Sequence, residues 1–244
     1  MSRPAFEEHW RRKFTQRGLA LDGDAGIAGW SESGLETRFR AFRRLWRAPQ
    51  NGHGTWIDVG CGAGTYSRFL AGHGLRVVGV DYSQPSVVKA RARSDAVAAW
   101  IVGDATRLPL APACADGLLC FGVLQALSGP DKVLAELAAA LKPGGSLWVD
   151  ALNAHCLPHR IKQWLRRPMN LRYDTAPALV GRLRELGLDA TLHWVPILPA
   201  RLQRLQPLIE SRPARALLSA LPFLGALLSH SILIVATRSN RAAQ

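Results

Sequence analysis

Thr55-Trp-Ile-Asp-Val-Gly-Cys-Gly-Ala-Gly64 is the stretch on which the fold turns. Thr55–Val59 is short, apolar and β-branched, and reads as a strand. Glycines follow at 60, 62 and 64, and a helical pattern runs from about Thr65 to Ala71. Glycines between a strand and a helix let the backbone turn tightly and approach a ligand with no Cβ in the way. The helix start beyond them offers unpaired N–H groups to a carboxylate. A dinucleotide fingerprint would require glycine three positions after Gly62, where the chain has Thr65. A diphosphate is therefore disfavoured, and a smaller ligand with a single carboxylate is favoured.

On either side of this turn the chain alternates short apolar runs with helical patterns, which signals a parallel sheet with crossover helices. Further strands are expected at Arg76–Val80, Ala99–Val102, Gly117–Phe121 and Ser146–Val149. Ser83 is placed to cap a helix whose first turn holds Pro85. Another helix, Asp131–Leu141, should stop at Lys142-Pro-Gly-Gly145. Beyond residue 150 a helix is expected over Ala176–Leu186. Strands Ala190–Val195 and Ser231–Thr237 flank an insertion, Pro196–His230, that reads as two short amphipathic helices walling an acceptor pocket. Helices around Phe6–Arg17 and Leu35–Arg47 precede the first strand and should form a lid, with Trp10, Phe14 and Trp30 as its contacts. The expected organisation is one domain over 1–244: a helical lid in 1–50, a ligand-binding core in 51–150 and an acceptor-side half in 151–244.

The 244 residues, 48% hydrophobic and 20% charged, suit a folded globular chain with a sizeable core. The four cysteines form no CxxC pair and read as reduced thiols. The N-terminus carries no apolar h-region, so no signal peptide is expected. The net charge of +13 is uneven. Residues 51–150 are neutral, and the excess lies in the flanks, mostly after residue 150. Such basic flanks suit nucleic acid, an anionic membrane surface or an acidic substrate, or are simply a solvated arginine-rich face. Ala216–Ala236 is long enough to span a bilayer by count. Pro222 and Gly225 interrupt it, and a helix followed by a buried strand accounts for it better.

Two acids extend the pattern set by the glycine turn. Asp81 closes the second strand, where a carboxylate accepts hydrogen bonds from the ribose hydroxyls of an adenosine cofactor. Asp104 closes the third, where a carboxylate can accept an adenine amino group. Single acids at strand ends are often helix caps, but three sites at successive strand ends form an ordered set.

Trp56–Gly64, Val78-Gly-Val-Asp81, Gly103-Asp-Ala-Thr-Arg-Leu-Pro109 and Leu141-Lys-Pro-Gly-Gly145 together resemble the successive motifs of class I S-adenosylmethionine (SAM)-dependent methyltransferases. The flavour is that of the ubiquinone/menaquinone methyltransferases, and the resemblance covers roughly residues 50–150 plus the final strand. It implies an α/β, Rossmann-like sheet of seven strands ordered 3-2-1-4-5-7-6, the last antiparallel, with helices on both faces. Carried over by position, Gly60 and Gly62 would lie against the methionine moiety, with Cys61 beside them. Asp58 would orient the cofactor's amino group, directly or through water. Asp81, followed by Tyr82, would bind the ribose. Asp104 and the Ala105 N–H would read adenine, and Phe121 would lie near the adenosine or the sulfonium. The product would be S-adenosylhomocysteine. Gln125 stands where many relatives have histidine, so that histidine's role does not transfer.

No Asp-Pro-Pro-Tyr or Asn-Pro-Pro-Tyr follows the fourth strand, which disfavours methylation of the exocyclic amines of bases. No metal site is expected. His155 and His159 have helical i, i+4 spacing, but Pro158 should break that helix and no third ligand is evident. If the acceptor is a hydroxyl, candidate general bases are His155 and His159, with Tyr173 and His9 behind them. The leading expectation is a methyltransferase acting on an O, N or C atom of a small apolar or amphiphilic molecule. The chain would be cytoplasmic, with peripheral contact at the inner face of the membrane left open. An RNA methyltransferase using the basic flanks is the alternative, supported by charge alone. A non-catalytic interaction protein with this fold is a third.

Overall fold

The computed structural model describes residues 4–50, 52–167 and 170–240. Seven strands form one sheet: β1 (Thr55–Val59), β2 (Arg76–Asp81), β3 (Ala99–Val102), β4 (Ala115–Cys120), β5 (Leu141–Leu152), β6 (Leu188–Val195) and β7 (Ser231–Arg238). Their order is β3-β2-β1-β4-β5-β7-β6, with β1 to β5 parallel and β7 antiparallel to both its neighbours. This is the topology the sequence motifs imply. The Lys142-Pro-Gly-Gly145 segment is a bulge within β5. Leu141 pairs with Ala115, the ladder resumes at Ser146 opposite Gly117, and Gly144 takes a φ of +75°.

Side-chain alternation along the central strands builds two cores. Leu118, Leu147 and Ile234 face helices α6 (Asp131–Ala140) and α8 (Ala176–Glu185), which contribute Val133, Leu134, Leu137, Leu179 and Leu183. Leu119, Trp148 and Leu233, one residue out of phase, face α3 (Glu32–Leu45) and α4 (Thr65–Ala71). This second core is aromatic. Phe42 is fully buried and meets Trp148 edge-on at 5.2 Å and Phe121 at 5.7 Å. Helix α5 (Gln84–Ala92) begins as expected, with Ser83 Oγ accepting from the Ser86 N–H and Pro85 in the first turn.

The cover over the strand ends differs in detail from its sequence reading. α1 spans Ala5–Ala20, and a five-residue helix, α2 (Asp24–Ala28), follows that is too short to show a helical period. α3 starts earlier than expected, where Ser31 Oγ accepts from the Gly34 N–H at 3.1 Å. Beyond β5, α7 (Leu157–Trp164) carries Pro158 in its first turn, where the missing N–H leaves no bond unmade. The proline thus starts this helix instead of breaking one, so His159 lies on it and His155 precedes it.

The insertion 196–230 is also more divided than two helices. It forms a 3-10 segment (Ala200–Leu205), α9 (Gln206–Ile209), α10 (Arg212–Ala220) and α11 (Pro222–Leu228). The apolar run from Ala216 therefore splits into the end of α10, α11 and the start of β7. Among the described residues no helix is long and apolar enough to cross a membrane.

Candidate active site

A cavity of about 810 Å³ opens at the carboxyl ends of β1 to β4, the position where open parallel sheets take their ligands. Gly60, Gly62, Asp81, Tyr82, Asp104, Ala105 and Phe121 all line it. Its roof is α1 and the α2–α3 connection, through Trp10, Phe14 and Trp30.

The glycine turn is a built cradle. Gly60 holds a φ of +78°, and a Cβ there would run into Val123 Cγ2. Its N–H donates to Val80 O at 2.7 Å, and that of Cys61 to the same oxygen at 3.1 Å. Gly62, at φ +53°, donates its N–H to Asp81 Oδ2 at 2.9 Å. Asp81 Oδ1 accepts the Ser83 N–H at 2.8 Å. Each Asp81 oxygen therefore has one backbone donor and keeps acceptor capacity towards the cavity. Burial raises the Asp81 pKa, while the Ser83 and Gly62 N–H groups and Arg11 oppose the rise.

Asp104 is already engaged. Its Oδ1 accepts from Thr106 N at 2.9 Å and Thr106 Oγ1 at 2.8 Å, and Arg11 Nη1 of α1 reaches Oδ2 at 3.0 Å. The Arg11 guanidinium also lies over the Tyr82 ring, 4.7 Å from its centroid. Glu7 Oε1 accepts the Ser128 N–H at 2.9 Å, and Trp10 Nε1 donates to Asn170 O at 2.9 Å. The cover is thus pinned to the segment after β3, to the segment before α6 and to the segment before α8.

Two of the candidate cofactor residues stand behind this wall. Asp58 is 2% exposed and accepts from Ser67 Oγ at 2.6 Å. Burial pushes its pKa up to about 6 against the opposing Ser67 bond. Cys61 is buried, and that burial raises its thiol well above the ordinary range. Neither lines the cavity.

The candidate bases do not line it either. His155 is exposed, its backbone N–H donating to Asn153 Oδ1 at 3.0 Å. His159 stacks on Tyr173 at 3.8 Å between centroids, and Tyr173 meets His230 edge-on at 6.1 Å. Burial lowers the pKa of His159, and lowers that of His230 to about 4 with help from Arg38. Gln125 is buried and offers its backbone carbonyl to the Arg172 N–H. Among the described residues no group of three or more His, Cys, Asp or Glu could hold a metal ion.

Sequence reading missed a buried ion pair beside the cavity. Arg38 of α3 and Asp150 of β5 meet at 3.3 Å with both side chains 6% exposed. Asp150 Oδ1 also accepts the Gly122 N–H at 2.6 Å. The guanidinium stacks over Trp30 at 3.6 Å and donates from Nη1 to Gly34 O, while Nη2 has no hydrogen-bond partner among the described residues. Arg38, Asp150, Tyr66 and Phe121 line a small chamber of about 220 Å³, so Phe121 faces both it and the larger cavity. No local motif marks this pair, because its partners come from a lid helix and a distant strand.

Residues 57–149 match the family described as the methyltransferase domain. Residues 57–149 thus carry a methyltransferase-domain sequence, set in a sheet with the class I SAM-dependent methyltransferase strand order. The chain is 32% identical over 113 residues to a ubiquinone biosynthesis O-methyltransferase of Idiomarina loihiensis, covering 45% of this chain and 44% of that one. To a ubiquinone/menaquinone biosynthesis C-methyltransferase of Paracoccus denitrificans it is 36% identical over 128 residues, covering 49% and 50%. The matched stretch thus spans about half the length of these relatives. In structure, a phosphoethanolamine N-methyltransferase of Haemonchus contortus, solved with S-adenosylmethionine, superposes with a TM-score of 0.66 at 20% identity, over 94% of this chain and 60% of that one. That likeness is one of fold. The matched family stretch holds the glycine turn, Asp81 and Asp104, while the helical cover and the insertion lie outside it.

Proposed function

We propose that this methyltransferase binds S-adenosylmethionine in the 810 Å³ cavity and methylates an O, N or C atom of a small apolar or amphiphilic molecule. The observation that carries this reading is the convergence of the Gly60–Gly62 cradle, Asp81 and Asp104 on one cavity beneath an aromatic roof. The residues fit the cofactor: a cradle that a Cβ would fill, and a carboxylate with unused acceptor capacity at the end of β2.

When bound, the cofactor supplies a methyl group on a good leaving group, so most of the catalysis lies in holding the acceptor in line with it. Asp81 would accept the ribose hydroxyls, and Asp104 with the Ala105 N–H would read the adenine edge. Gly60 and Gly62 would let the backbone meet the methionine end, while Asp58, held by Ser67 behind the cavity wall, would support the turn from beneath. Trp10, Phe14 and Trp30 exclude water. The acceptor enters beside Phe121, where Arg38 Nη2 offers an unused donor to one of its oxygens. For a hydroxyl acceptor, a general base would have to reach in from outside the cavity lining, and the candidates are the stacked His159–Tyr173 pair ahead of exposed His155.

The amphiphilic side of this reading rests on the surface. Trp164 on α7 is 81% exposed and Phe223 on α11 is 75% exposed, and no acidic residue lies between Asp150 and Asp174. Basic surface with projecting apolar side chains suits peripheral contact with an anionic membrane. The test is incubation with methyl-labelled S-adenosylmethionine and a mixture of lipid extract and total RNA. Label is expected in small molecules of the organic phase, and label confined to RNA would reject the reading.

A further inference from the structure

The insertion was expected to wall the acceptor pocket, but none of its residues lines the cofactor cavity. It forms a different feature. Arg212 and Arg215 in the first turn of α10 face Arg44, near the end of α3, and His193 and Trp194 of β6 across a groove of about 910 Å³. The groove and the cofactor cavity share no lining residue.

The charge in this groove is little compensated. No Asp or Glu lines it. Glu210 stands beside it, but its carboxylate is taken by Arg40 at 2.9 and 3.1 Å and by Gln206 at 2.9 Å, leaving Arg44 Nη1 at 3.8 Å. The side chains of Arg212 and Arg215 have no hydrogen bond or ion pair among the described residues. The Nε atoms of Arg44 and Arg215 are buried without a hydrogen-bond partner. Burial first, and then repulsion from Arg215, make Arg44 easier to deprotonate than a free guanidinium. Burial and Arg44 lower His193 in the same way, so it stays neutral and can donate one N–H.

We propose that this groove binds a phosphate group. Three guanidiniums around one concavity present paired N–H donors at the spacing of phosphate oxygens. A bound dianion would relieve the repulsion between Arg44 and Arg215 and give the buried Nε donors an acceptor. The phosphate belongs either to a lipid headgroup or to a soluble phosphate ester. Leu217 on α10 and Leu221 just beyond its end, both about half exposed, would serve the first.

The experiment is a titration of inorganic phosphate followed by 31P line broadening in a phosphate-free buffer of low ionic strength. It compares the full chain with R212Q/R215Q and with R44Q. All three arginines lie outside the cofactor cavity, so S-adenosylhomocysteine affinity and the thermal midpoint report whether each variant is folded. Saturable broadening in the parent chain, at least tenfold weaker in R212Q/R215Q with unchanged S-adenosylhomocysteine affinity, supports the site. Co-sedimentation with phosphatidic acid vesicles that needs the same arginines, and is absent with phosphatidylcholine vesicles, assigns the phosphate to a lipid. Phosphate binding without vesicle binding assigns it to a soluble ester. No saturable broadening, equal broadening in the variants, or binding only to polynucleotide would overturn the proposal. None of these outcomes bears on the cofactor site.

Discussion

Arg11 on the first helix lies 3.0 Å from Asp104, the carboxylate just after β3, and so closes the cover directly onto that end of the cavity. Both side chains are about a quarter to a third exposed, so the pair is worth less than about 1 kcal/mol to stability. Its consequence should be kinetic. Arg11→Gln should leave the thermal midpoint within about 2 °C while S-adenosylhomocysteine dissociates several-fold faster by stopped-flow fluorescence. An unchanged off-rate would show that α1 does not gate this end.

The two glycines of the cradle separate room from backbone strain. Both hold positive φ, but a Cβ at Gly60 collides with Val123, whereas one at Gly62 meets nothing closer than Ile27 at 4.0 Å. Gly62→Ala should therefore cost about 1 kcal/mol from its φ alone, and Gly60→Ala distinctly more. Urea unfolding of the ligand-free proteins measures the difference, and equal losses would place the two residues in equivalent surroundings.

The Arg38–Asp150 pair is buried, so removing one partner leaves a charge without compensation. Arg38→Met should destabilise by about 3–5 kcal/mol, and the double change R38M/D150N should recover much of that. The amide oxygen introduced by D150N can still accept the Gly122 N–H that Asp150 takes now. A double variant no more stable than Arg38→Met would indicate that packing against Trp30 and the Gly34 carbonyl, and not charge, sets the cost.

Asp58 makes stability depend on pH. Its folded value of about 6 lies above the ordinary 3.8, so the folded state holds this proton more tightly than the unfolded one. The resulting stabilisation is present below about pH 4 and is lost as pH rises through about 6. His230, lowered from 6.5 to about 4, acts in the opposite sense, losing stability as pH falls through that window. Comparison with Asp58→Asn removes the shared His230 contribution. The stability difference, wild type minus variant, should fall between about pH 4 and pH 6 and be flat above about pH 7. A flat difference throughout would mean that Asp58 titrates normally.

The sheet was legible because each strand announced itself locally. Thr55–Val59, Ala99–Val102 and the start of β7 at Ser231 coincide with their sequence reading, and the glycines and acids that line the cavity sit at their ends. Elements lacking a local period escaped. Helix α2 spans five residues, and Pro158 has the same local signature whether it ends a helix or begins one. The polar contacts that shape the acceptor side were not readable at all. Arg11 and Asp104 are 93 residues apart, and the charged groove joins α3, β6 and α10, so only the folded chain brings those side chains together. The insertion reads as two amphipathic helices, yet Leu202, Leu205 and Leu208 are exposed on its first short elements. What periodicity could not say was the direction of the apolar face: Leu218 is buried, while Leu217 and Leu221 point outward.

Isothermal calorimetry of S-adenosylhomocysteine against the full chain and Asp81→Ala tests the central claim most directly. Among the described residues Asp81 accepts from the Gly62 and Ser83 N–H groups, which leaves acceptor capacity that ribose hydroxyls would use. Loss of a charged acceptor for buried hydroxyls is worth about 1.5–3 kcal/mol. The account predicts one site per chain in the parent protein and binding at least about tenfold weaker in Asp81→Ala with the fold intact. No binding by the parent chain, or equal affinity in the variant, would contradict it.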